Sequence, residues 1–490
     1  MNAAYRLTQQ AANTNRFVRL VRMEGPQDWW RQGEALVARQ SHDSPEFSRG
    51  LELLQRSAAA GWLEADVTLG NVYAQVPLLP DADRQAVIHY RRAAALGHPM
   101  AQDRLADLHL IGRGVPQDDA EALQWCRRTA EQAYPLAQCN LAYMLAEGIG
   151  SDTDDGAATD WYLRAAAQGE PRAYFNLGLR YRQGFGTAAD SAQAWAWMAL
   201  AARAAYPGAE AELRGIEAGL DPAPLAEARS LAQVIADNFA ALRQKLEGSP
   251  EVQSSAAAYR SAVEEHFAAL DIAAFSVDAG RRGQGADRSR HAPGARQTIS
   301  EAPRIFTVDD FLSAAECSHL LWLASPNLKG AETARDRGEQ AAFDGSAATL
   351  RGMLCDPVVR NIERRIAAGF GLAASQVEPL SVLRYESGQN YAPHVDYFRA
   401  DRLADNQRMG DTAGQRVASF LVYLRAPAAG GATEYLEIGR KVTGRDRMAL
   451  CHFNCDEGGT PDPSTLHTGT PVVAGEKWLA RTTLRERSFY

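Results

Sequence analysis

Between about residues 50 and 245, the same residue types return every thirty-six positions, and few folds accommodate so fixed a period. Alanine, leucine and tryptophan each keep one position in the period, and a Gly-x-Gly pair follows the leucine. The residues are Ala65, Ala101, Ala137, Ala173 and Ala209; Leu69, Leu105, Leu141 and Leu177; Trp125, Trp161 and Trp197; and the pairs that begin at Gly112, Gly148 and Gly184. Agreement in several registers predicts a solenoid of stacked units.

Each unit reads as two helices joined by a turn. In LAQCNLAYMLAEG, apolar residues stand three and four positions apart, which predicts a helix with one buried stripe. The glycine that follows ends this helix, because glycine adopts the left-handed conformation without a steric penalty. An acidic stretch such as Gln117-Asp118-Asp119 then begins the second helix, since carboxylates suit a helix N-terminus.

These units resemble the Sel-one-like repeat, a relative of the tetratricopeptide repeat. The segment AYFNLGLRY, from Ala173 to Tyr181, matches the pattern Ala-x-x-x-Leu-Gly-x-x-Tyr. The resemblance implies an all-α solenoid of helical hairpins over residues 46–247, after an N-terminal segment 1–45 and with a capping helix at its C-terminal end. Arrays of this family hold protein partners, and a purely architectural spacer is the alternative.

Composition narrows the function classes. A chain of 490 residues can form two or three domains, and 46% hydrophobic residues are typical of a globular protein. The net charge of −8 makes nucleic acid an unfavourable partner, and no run of eighteen apolar residues predicts a membrane span. Six widely spaced cysteines, with an N-terminus that lacks a secretory pattern, predict a cytoplasmic protein.

A change in composition predicts a linker over residues 248–301. GSPEVQSSAAAY is rich in turn-forming residues, a short helix is predicted from Ala257 to Ala274, and DAGRRGQGADRSRHAPGARQ is basic and glycine-rich. Nucleic-acid contact by the basic run is the alternative to a solvated tether. The C-terminal domain is then predicted at residues 302–490.

The C-terminal domain has strand-like periodicity. IFTVDDFLSAAECSHLLWLA predicts a short strand, an aspartate cap and an amphipathic helix. LSVLRY, ASFLVYL, MALCHF and TPVVAGEKWLARTTL follow as strands, and their glycine-rich turns predict a jelly roll with flanking helices. The chain is therefore predicted to be a multidomain α + β protein. Cys451 and Cys455 are predicted to share one face of a strand; a zinc site is the alternative, although only three ligands are present.

A His-x-Asp pair in this domain is the first candidate for chemistry. His394 and Asp396, two residues apart on a strand, lie on the same face and can bind one ion. Adding His467 gives two imidazoles and one carboxylate, a set that suits iron(II) because it occupies one face of the octahedron. Such pairs also arise by chance, so the interpretation depends on neighbouring motifs.

Three neighbouring features support a metal site. Lys477 follows His467 by ten residues and can extend into the barrel, where a buried ammonium group needs an anion such as the distal carboxylate of 2-oxoglutarate. The second feature is the motif YESGQNY, from Tyr385 to Tyr391, which leads into the metal strand. The third is RVASFLVYL, from Arg416, which is predicted to be an internal strand, followed by a tight turn at GGAT, which ends at Thr433.

Residues from about 302 to 490 thus resemble the prolyl 4-hydroxylase branch of the 2-oxoglutarate and iron(II) oxygenases. The matching elements are Tyr-x-x-Gly-Gln-x-Tyr-x-x-His-x-Asp, Gly-Gly-x-Thr and His-x(9)-Lys-Trp. The resemblance implies a double-stranded β-helix that uses iron(II), 2-oxoglutarate and O2, with L-ascorbate as reductant, to hydroxylate a prolyl residue of a protein or peptide. It assigns iron binding to His394, Asp396 and His467. It assigns to Lys477 a further catalytic role and the binding of the distal carboxylate of 2-oxoglutarate. Tyr385, Tyr423 and Thr433 are assigned as hydrogen-bond donors to 2-oxoglutarate. For Tyr423, a core tyrosine is the alternative.

Three departures from the family leave the substrate open. Asp344 begins Asp-Gly-Ser where relatives carry Arg-x-Ser, Thr483 replaces an aromatic residue, and Tyr435 replaces a phenylalanine. An oxygenase of free amino acids or peptidic natural products is therefore an alternative, as is a binding protein with an inert oxygenase domain. Two polar loops, residues 327–345 and 398–414, are predicted to act as lids over the site.

Overall fold

A computed structural model of the chain describes residues 25–76, 79, 81–250, 256–269, 294–330, 343–350, 356–408, 413–456 and 458–488. The chain forms two compact units, one ending at Leu105 and one beginning at Ala106. The predicted domain boundaries at residues 46, 248 and 302 stay predictions. Within the described ranges, no helix is both long and apolar enough to cross a membrane.

The first unit consists of helices. They are α1 (Pro26–Val37), α2 (Pro45–Ala59), α3 (Leu63–Gln75), α4 (Ala82–Ala95) and the beginning of α5 (Pro99–Ile111). Ala65 and Leu69, which belong to the repeated registers, are fully buried. Asp66 of α3 lies 2.8 Å from the Nδ1 atom of His89 on α4, so a polar pair joins these two helices as well as apolar packing.

The second unit continues the array, and the predicted solenoid of helical hairpins is confirmed. Its helices are α6 (Asp119–Ala130), α7 (Pro135–Glu147), α8 (Asp155–Ala167), α9 (Pro171–Gln183), α10 (Ser191–Arg203), α11 (Ala209–Glu217), α12 (Pro222–Gly248) and α13 (Ala256–Ala269). Proline begins α7 because its missing N–H is not needed in the first turn. Gly148, with φ of 68°, ends α7, and the side chain of Asp154 accepts a hydrogen bond from the Ala157 N–H to begin α8.

In two of the Gly-x-Gly pairs, a close contact with the preceding unit requires the second residue to be glycine. A Cβ atom on Gly150 would lie 2.1 Å from the carbonyl oxygen of Asp119, and one on Gly186 would lie 2.1 Å from that of Asp155. Each of these carbonyl groups begins the second helix of the preceding unit. The motif is therefore kept by close contact between successive units as well as by the turn inside one unit.

The array ends as predicted with a long helix, α12, which covers the last unit. Phe239 of α12 lies 6.0 Å from Trp197 and 6.3 Å from Tyr174 between ring centroids. Helix α13 lies inside the predicted linker, and its Val263 is fully buried. The hydroxyl of Tyr259 on α13 donates a hydrogen bond to the side-chain oxygen of Gln168, at 3.0 Å. The rest of the predicted helix and most of the basic run, residues 270–293, lie outside the described residues.

The C-terminal part forms sheets in which all strand pairs are antiparallel. The strands are β1 (Arg296–Glu301), β2 (Arg304–Val308), β3 (Lys329–Gly330), β4 (Ser346–Thr349), β5 (Ser381–Tyr385), β6 (Tyr391–His394), β7 (Arg416–Arg425), β8 (Ala429–Gly430), β9 (Thr433–Tyr435), β10 (Arg440–Val442), β11 (Ala449–Phe453), β12 (His467–Gly469), β13 (Val472–Ala474) and β14 (Lys477–Arg485). One sheet has the order β1-β2-β11-β7-β14-β5-β4-β3, the second β10-β9-β12-β6, and the third β13-β8. The first two sheets enclose an apolar core that includes Leu383, Leu421 and Leu479, as the predicted jelly roll requires.

Three helices flank the sheets: α14 (Ala314–Ala324), α15 (Pro357–Gly369) and α16 (Ala400–Arg408). The predicted aspartate cap of α14 is wrong, because Ser313 caps it in a capping box with Glu316. Helix α16 lies within the second predicted lid, where no helix is predicted from the sequence. In the first predicted lid, residues 331–342 lie outside the described residues. Cys451 lies in β11 as the strand interpretation predicts.

Helix α15 joins the sheets to the helical array inside the second unit. The guanidinium of Arg360 binds Asp107 of α5 through two hydrogen bonds, of 2.7 and 3.1 Å. The side chain of Asn361 donates a hydrogen bond to the hydroxyl of Tyr143 on α7, at 2.9 Å. The part of the array that begins at Ala106 and the strand-rich part therefore pack together in one compact unit.

Candidate metal centre

Two neighbouring strands bring the three predicted metal ligands together. Strands β6 and β12 are antiparallel, and His394 pairs directly with His467 in their register. Asp396 follows β6 by two residues, and one side-chain atom from each of the three lies within 4.8 Å of the others. Residues far apart in sequence therefore meet because a pair of short strands aligns them.

Backbone carbonyl groups fix the tautomer of both imidazoles. The Nδ1 atom of His394 lies 2.9 Å from the carbonyl oxygen of Ala392, and that of His467 lies 2.9 Å from the carbonyl oxygen of Thr465. A carbonyl oxygen only accepts, so each Nδ1 carries the hydrogen and each Nε2 keeps a lone pair. Both rings thus present a neutral nitrogen as a metal ligand requires.

The electrostatics of the three residues suit a divalent cation. Burial lowers the pKa of His394, and burial together with the nearby His452 lowers the pKa of His467 to about 3. Burial alone would raise the pKa of Asp396, but the Arg481 guanidinium and a hydrogen bond from His452 hold it well below its ordinary value. Two neutral imidazoles and one carboxylate are therefore available at neutral pH without loss of protons, so the residues fit a bound iron(II) ion.

The predicted lysine lies in the same cavity. Lys477 pairs with Tyr385 across β14 and β5, and only 2% of it is exposed. Its ammonium group lies 5.0 Å from the ring centroid of Tyr385 and 5.3 Å from that of Tyr423. Burial lowers its pKa to about 8, and no carboxylate in the described ranges lies within ion-pair distance of it. A buried cation with only aromatic neighbours favours an anionic ligand.

The three predicted hydrogen-bond donors occupy different positions. Tyr385 and Thr433 line one cavity together with the three predicted metal ligands and Lys477. Tyr423 does not line it and instead lies behind Thr433, with 3.0 Å between their hydroxyl oxygens. The structure therefore brings six of the seven predicted site residues to one cavity and places the seventh in contact with it.

Two residues near Asp396 were not predicted. His452 is fully buried; its Nε2 lies 3.4 Å from Asp396 Oδ2, and its Nδ1 forms a hydrogen bond with the hydroxyl of Tyr435 at 2.9 Å. MALCHF is predicted to be a buried strand, and no local pattern places His452 beside Asp396. Arg481 lies 3.5 Å from Asp396 Oδ1. Its position four residues after Lys477 on one strand places both on the same face, a signal present in the sequence.

The other departures from the family also have places in the structure. The carboxylate of Asp344 accepts a hydrogen bond from the Asn390 N–H at 2.7 Å, next to the strand that carries His394. Thr483 is buried in β14. The hydroxyl of Tyr435, absent from a phenylalanine, is used by His452.

Comparison with protein families matches both parts of the chain. The family model described as 2OG-Fe(II) oxygenase superfamily matches residues 380–484, and the Sel1 repeat model matches residues 75–98, 99–134, 135–170 and 171–206. The oxygenase match contains all seven predicted site residues, and the repeat match contains the alanine registers from Ala101 to Ala173.

Known proteins resemble the same two parts. Probable prolyl 4-hydroxylase 6 of Arabidopsis thaliana is 33% identical over 213 residues, which cover 39% of this chain and 72% of that protein. Prolyl 4-hydroxylase subunit alpha-1 of Rattus norvegicus is 35% identical over 201 residues, covering 40% of this chain and 37% of that subunit. Among solved structures, a viral collagen prolyl hydroxylase from Paramecium Bursaria Chlorella virus-1 is 23% identical, with a TM-score of 0.29, and covers 38% of this chain and 98% of its own. A Sel1 repeat protein from Oxalobacter formigenes is 29% identical, with a TM-score of 0.37, over 48% of this chain and 71% of its own.

Proposed function

We propose, because this chain belongs to the prolyl 4-hydroxylase family of 2OG-Fe(II) oxygenases, that it hydroxylates prolyl residues of a protein or peptide. One observation supports the proposal most directly: a single cavity contains a His-Asp-His cluster and a buried lysine with no carboxylate partner in the described ranges. A dicarboxylate cosubstrate supplies the anion that this lysine needs, next to the metal.

The metal would be held by His394, Asp396 and His467. One ligand atom from each residue lies within 4.8 Å of the other two, and a set of three ligands would leave positions of an octahedral ion for other ligands. Iron(II) bound there supplies oxygen activation, with 2-oxoglutarate and O2 as cosubstrates and succinate as a product. The carbonyl groups behind both imidazoles keep the rings oriented, so the protein does not have to reorganise when the ion binds.

Lys477 would hold the distal carboxylate of 2-oxoglutarate. Its ammonium group gives up aqueous solvation in the folded protein, and the ligand carboxylate replaces that lost interaction. We assign Tyr385 and Thr433 as hydrogen-bond donors to the same ligand, because both line the cavity. Tyr423 would orient the Thr433 hydroxyl and not touch the ligand itself, since its own hydroxyl is used by Thr433. Burial raises the pKa of Tyr423 to about 12, so its phenol stays protonated.

Two further assignments rest on weaker support. Ascorbate as reductant follows from the family resemblance alone. A cytoplasmic location is supported by sparse cysteines, and the five cysteines in the described ranges are all free thiols. Both remain part of the proposal.

The helical array would recruit the protein that carries the target proline. Sel1 repeats form the first part of the chain, and part of this array packs in one unit with the oxygenase fold, so a protein bound to that part stays close to the cavity.

The test is 2-oxoglutarate turnover coupled to a mass change on a substrate. We expect the purified chain with iron(II), 2-oxoglutarate and ascorbate to release succinate and to add 16 Da to a proline of captured partner proteins. The variant His394→Ala should do neither, because it removes a metal ligand. The matched control is His42→Ala, at an exposed position, which should keep both activities.

Each alternative function predicts a different result. Succinate release with free proline or a small peptide, and none with captured proteins, would assign the activity to a small substrate. A chain that binds partners but neither iron nor 2-oxoglutarate would be a binding protein with an inert oxygenase domain. Succinate release by His394→Ala at the wild-type rate would refute the assigned metal centre.

A further inference from the structure

We propose that Arg481 forms a second carboxylate-binding site in the cavity, separate from the one at Lys477. This inference rests on the proposed function and goes beyond it, because it assigns a ligand contact to a residue outside the predicted set. The ligand group is a carboxylate, either the keto-acid end of 2-oxoglutarate or an acidic group of the substrate.

Strand β14 directs Arg481 into the same space as Lys477. Alternate side chains of a strand point to one face, and Lys477, Leu479 and Arg481 all line the cavity. Arg481 pairs in register with Ser381 on one side and Leu421 on the other, so its backbone is fixed in the middle of the large sheet. Its side chain is 21% exposed and lines the cavity.

The contacts of Arg481 within the protein are long. The guanidinium lies 3.5 Å from Asp396 Oδ1, and its Nη1 donates to the Tyr391 hydroxyl at 3.3 Å. By contrast, Arg416 in the same sheet binds Glu378 through two hydrogen bonds, of 2.9 and 2.8 Å. A guanidinium can hold a carboxylate in two parallel hydrogen bonds, but no carboxylate in the described part of the chain binds Arg481 in this way.

The charge balance of the cavity also requires more anions. Of the residues that line it, one is a carboxylate, Asp396, and two are cations, Lys477 and Arg481. A divalent ion bound to Asp396 would leave three positive charges in a largely buried space. A bound dicarboxylate would neutralise two of these positive charges, and the remaining positive charge favours a further anionic group close by.

Among the described residues, Asp396 is the only carboxylate that lines this cavity, and a metal ion would compete with Arg481 for it. Metal binding weakens the attraction between Arg481 and Asp396, because the ion offsets the carboxylate charge. The guanidinium is then available to a ligand at the moment when the metal site is filled.

The experiment compares Arg481→Gln with Arg481→Lys in the full chain, using Mn(II) as a metal that does not turn over. Dissociation constants are measured by calorimetry for Mn(II) alone, for 2-oxoglutarate on the Mn(II)-loaded protein, and for two proline-containing peptides that differ only by aspartate or asparagine after the proline. The control is Arg425→Gln, an exposed arginine on the adjacent strand β7. Circular dichroism and thermal unfolding establish that each variant is folded.

We expect Mn(II) affinity to change less than about threefold in Arg481→Gln, and one of the carboxylate ligands to bind roughly ten- to a hundredfold more weakly, as for a lost charged hydrogen bond. Weaker 2-oxoglutarate binding assigns the site to the keto-acid end; weaker binding of the aspartate peptide alone assigns it to the substrate. Arg481→Lys should fall between, because it keeps the charge and loses the planar fork.

Two results would overturn the inference. Unchanged affinities for 2-oxoglutarate and for the aspartate peptide would show that Arg481 binds no ligand carboxylate. A loss of Mn(II) affinity as large as the loss of 2-oxoglutarate affinity would show that Arg481 only positions Asp396. If the wild-type protein binds neither Mn(II) nor 2-oxoglutarate, the proposed function itself fails, which is a different outcome.

Discussion

Replacing Lys477 by methionine should stabilise the ligand-free protein and abolish its affinity for 2-oxoglutarate. The folded protein lowers the pKa of Lys477 from 10.5 to about 8, and burial is the only cause. This difference corresponds to about 3 kcal/mol of unfolding free energy at neutral pH. Methionine has a similar length, no charge and enough flexibility to fill the same space, so removing the ammonium group recovers part of that energy.

The pH dependence follows from the same two pKa values. The unfolded chain keeps the proton of Lys477 up to about pH 10.5, whereas the folded protein keeps it only up to about pH 8. The destabilisation is therefore present in full below pH 8 and disappears as the pH rises toward 10.5. The stability difference between the variant and the wild type should shrink over that range.

Urea unfolding, followed by circular dichroism with and without ligand, measures both effects. Without 2-oxoglutarate, Lys477→Met should raise the unfolding free energy of the second unit by about 1–3 kcal/mol. On Mn(II)-loaded protein, 2-oxoglutarate at a hundred times its dissociation constant should stabilise the wild type by about 2.7 kcal/mol and the variant not at all. Lys441→Met, at an exposed position on β10, should change stability by less than about 0.5 kcal/mol.

The reasoning is refuted if Lys477→Met destabilises the ligand-free protein by more than about 1 kcal/mol, a typical cost of losing a favourable interaction. Lys477 would then have a partner in the folded protein, and its burial would not be a cost that the cosubstrate relieves. Retained protection by 2-oxoglutarate in the variant would separately remove the proposed contact.

Three further predictions concern pH, the docking of helix α15 and the imidazole behind Asp396. The affinity of the Mn(II)-loaded wild type for 2-oxoglutarate should fall above about pH 8, by up to about tenfold per pH unit, because binding must then protonate Lys477; calorimetry at pH 7, 8 and 9 tests this, and a flat profile contradicts it. Arg360→Met should lower the unfolding free energy by about 3 kcal/mol, because it leaves the buried carboxylates of Asp107 and Glu363 without this cation; the double variant with Asp107→Leu should recover the part of the loss that is due to Asp107, and an equal loss in both would show that the pair with Asp107 is unimportant. Tyr435→Phe should weaken Mn(II) binding about tenfold, because it removes the hydroxyl that orients His452 toward Asp396; unchanged Mn(II) affinity would show that Tyr435 is only a core residue.

The repeats could be predicted in detail because their determinants are local. A glycine that ends a helix, an aspartate that caps the next and an alanine at a close contact each act within one unit or between neighbouring units, and the chain repeats them at a fixed period. Gly150 shows the limit of this reasoning: its position was visible in the sequence, but its contact with the Asp119 carbonyl is visible only in the structure.

The meeting of His394, Asp396 and His467 could also be predicted, since all three stand in motifs that a family resemblance covers. The surroundings of Asp396 could not. His452 lies on β11 and Arg481 on β14, strands of the large sheet, whereas two of the ligands lie on β6 and β12 of the smaller sheet. Which side chains meet across two packed sheets depends on strand register and sheet packing, and neither leaves a local pattern in the sequence.

The docking of α15 has a consequence for how the repeats bind partners. Asp107, Tyr143 and Leu179 occupy one position of the repeat in three successive units. The first two contact α15 of the same chain, through Arg360 and Asn361. Tyr143 and Leu179 both line an open groove between the array and the beginning of α14, and Arg365 of α15 lines it as well. A partner that docks along this register therefore meets the chain's own helix at Asp107 and reaches open space from Tyr143 to Leu179. Recruitment through this register is thus favoured at the end of the array beside α14. At Asp107 it requires that α15 is first displaced, at the cost of its buried ion pair.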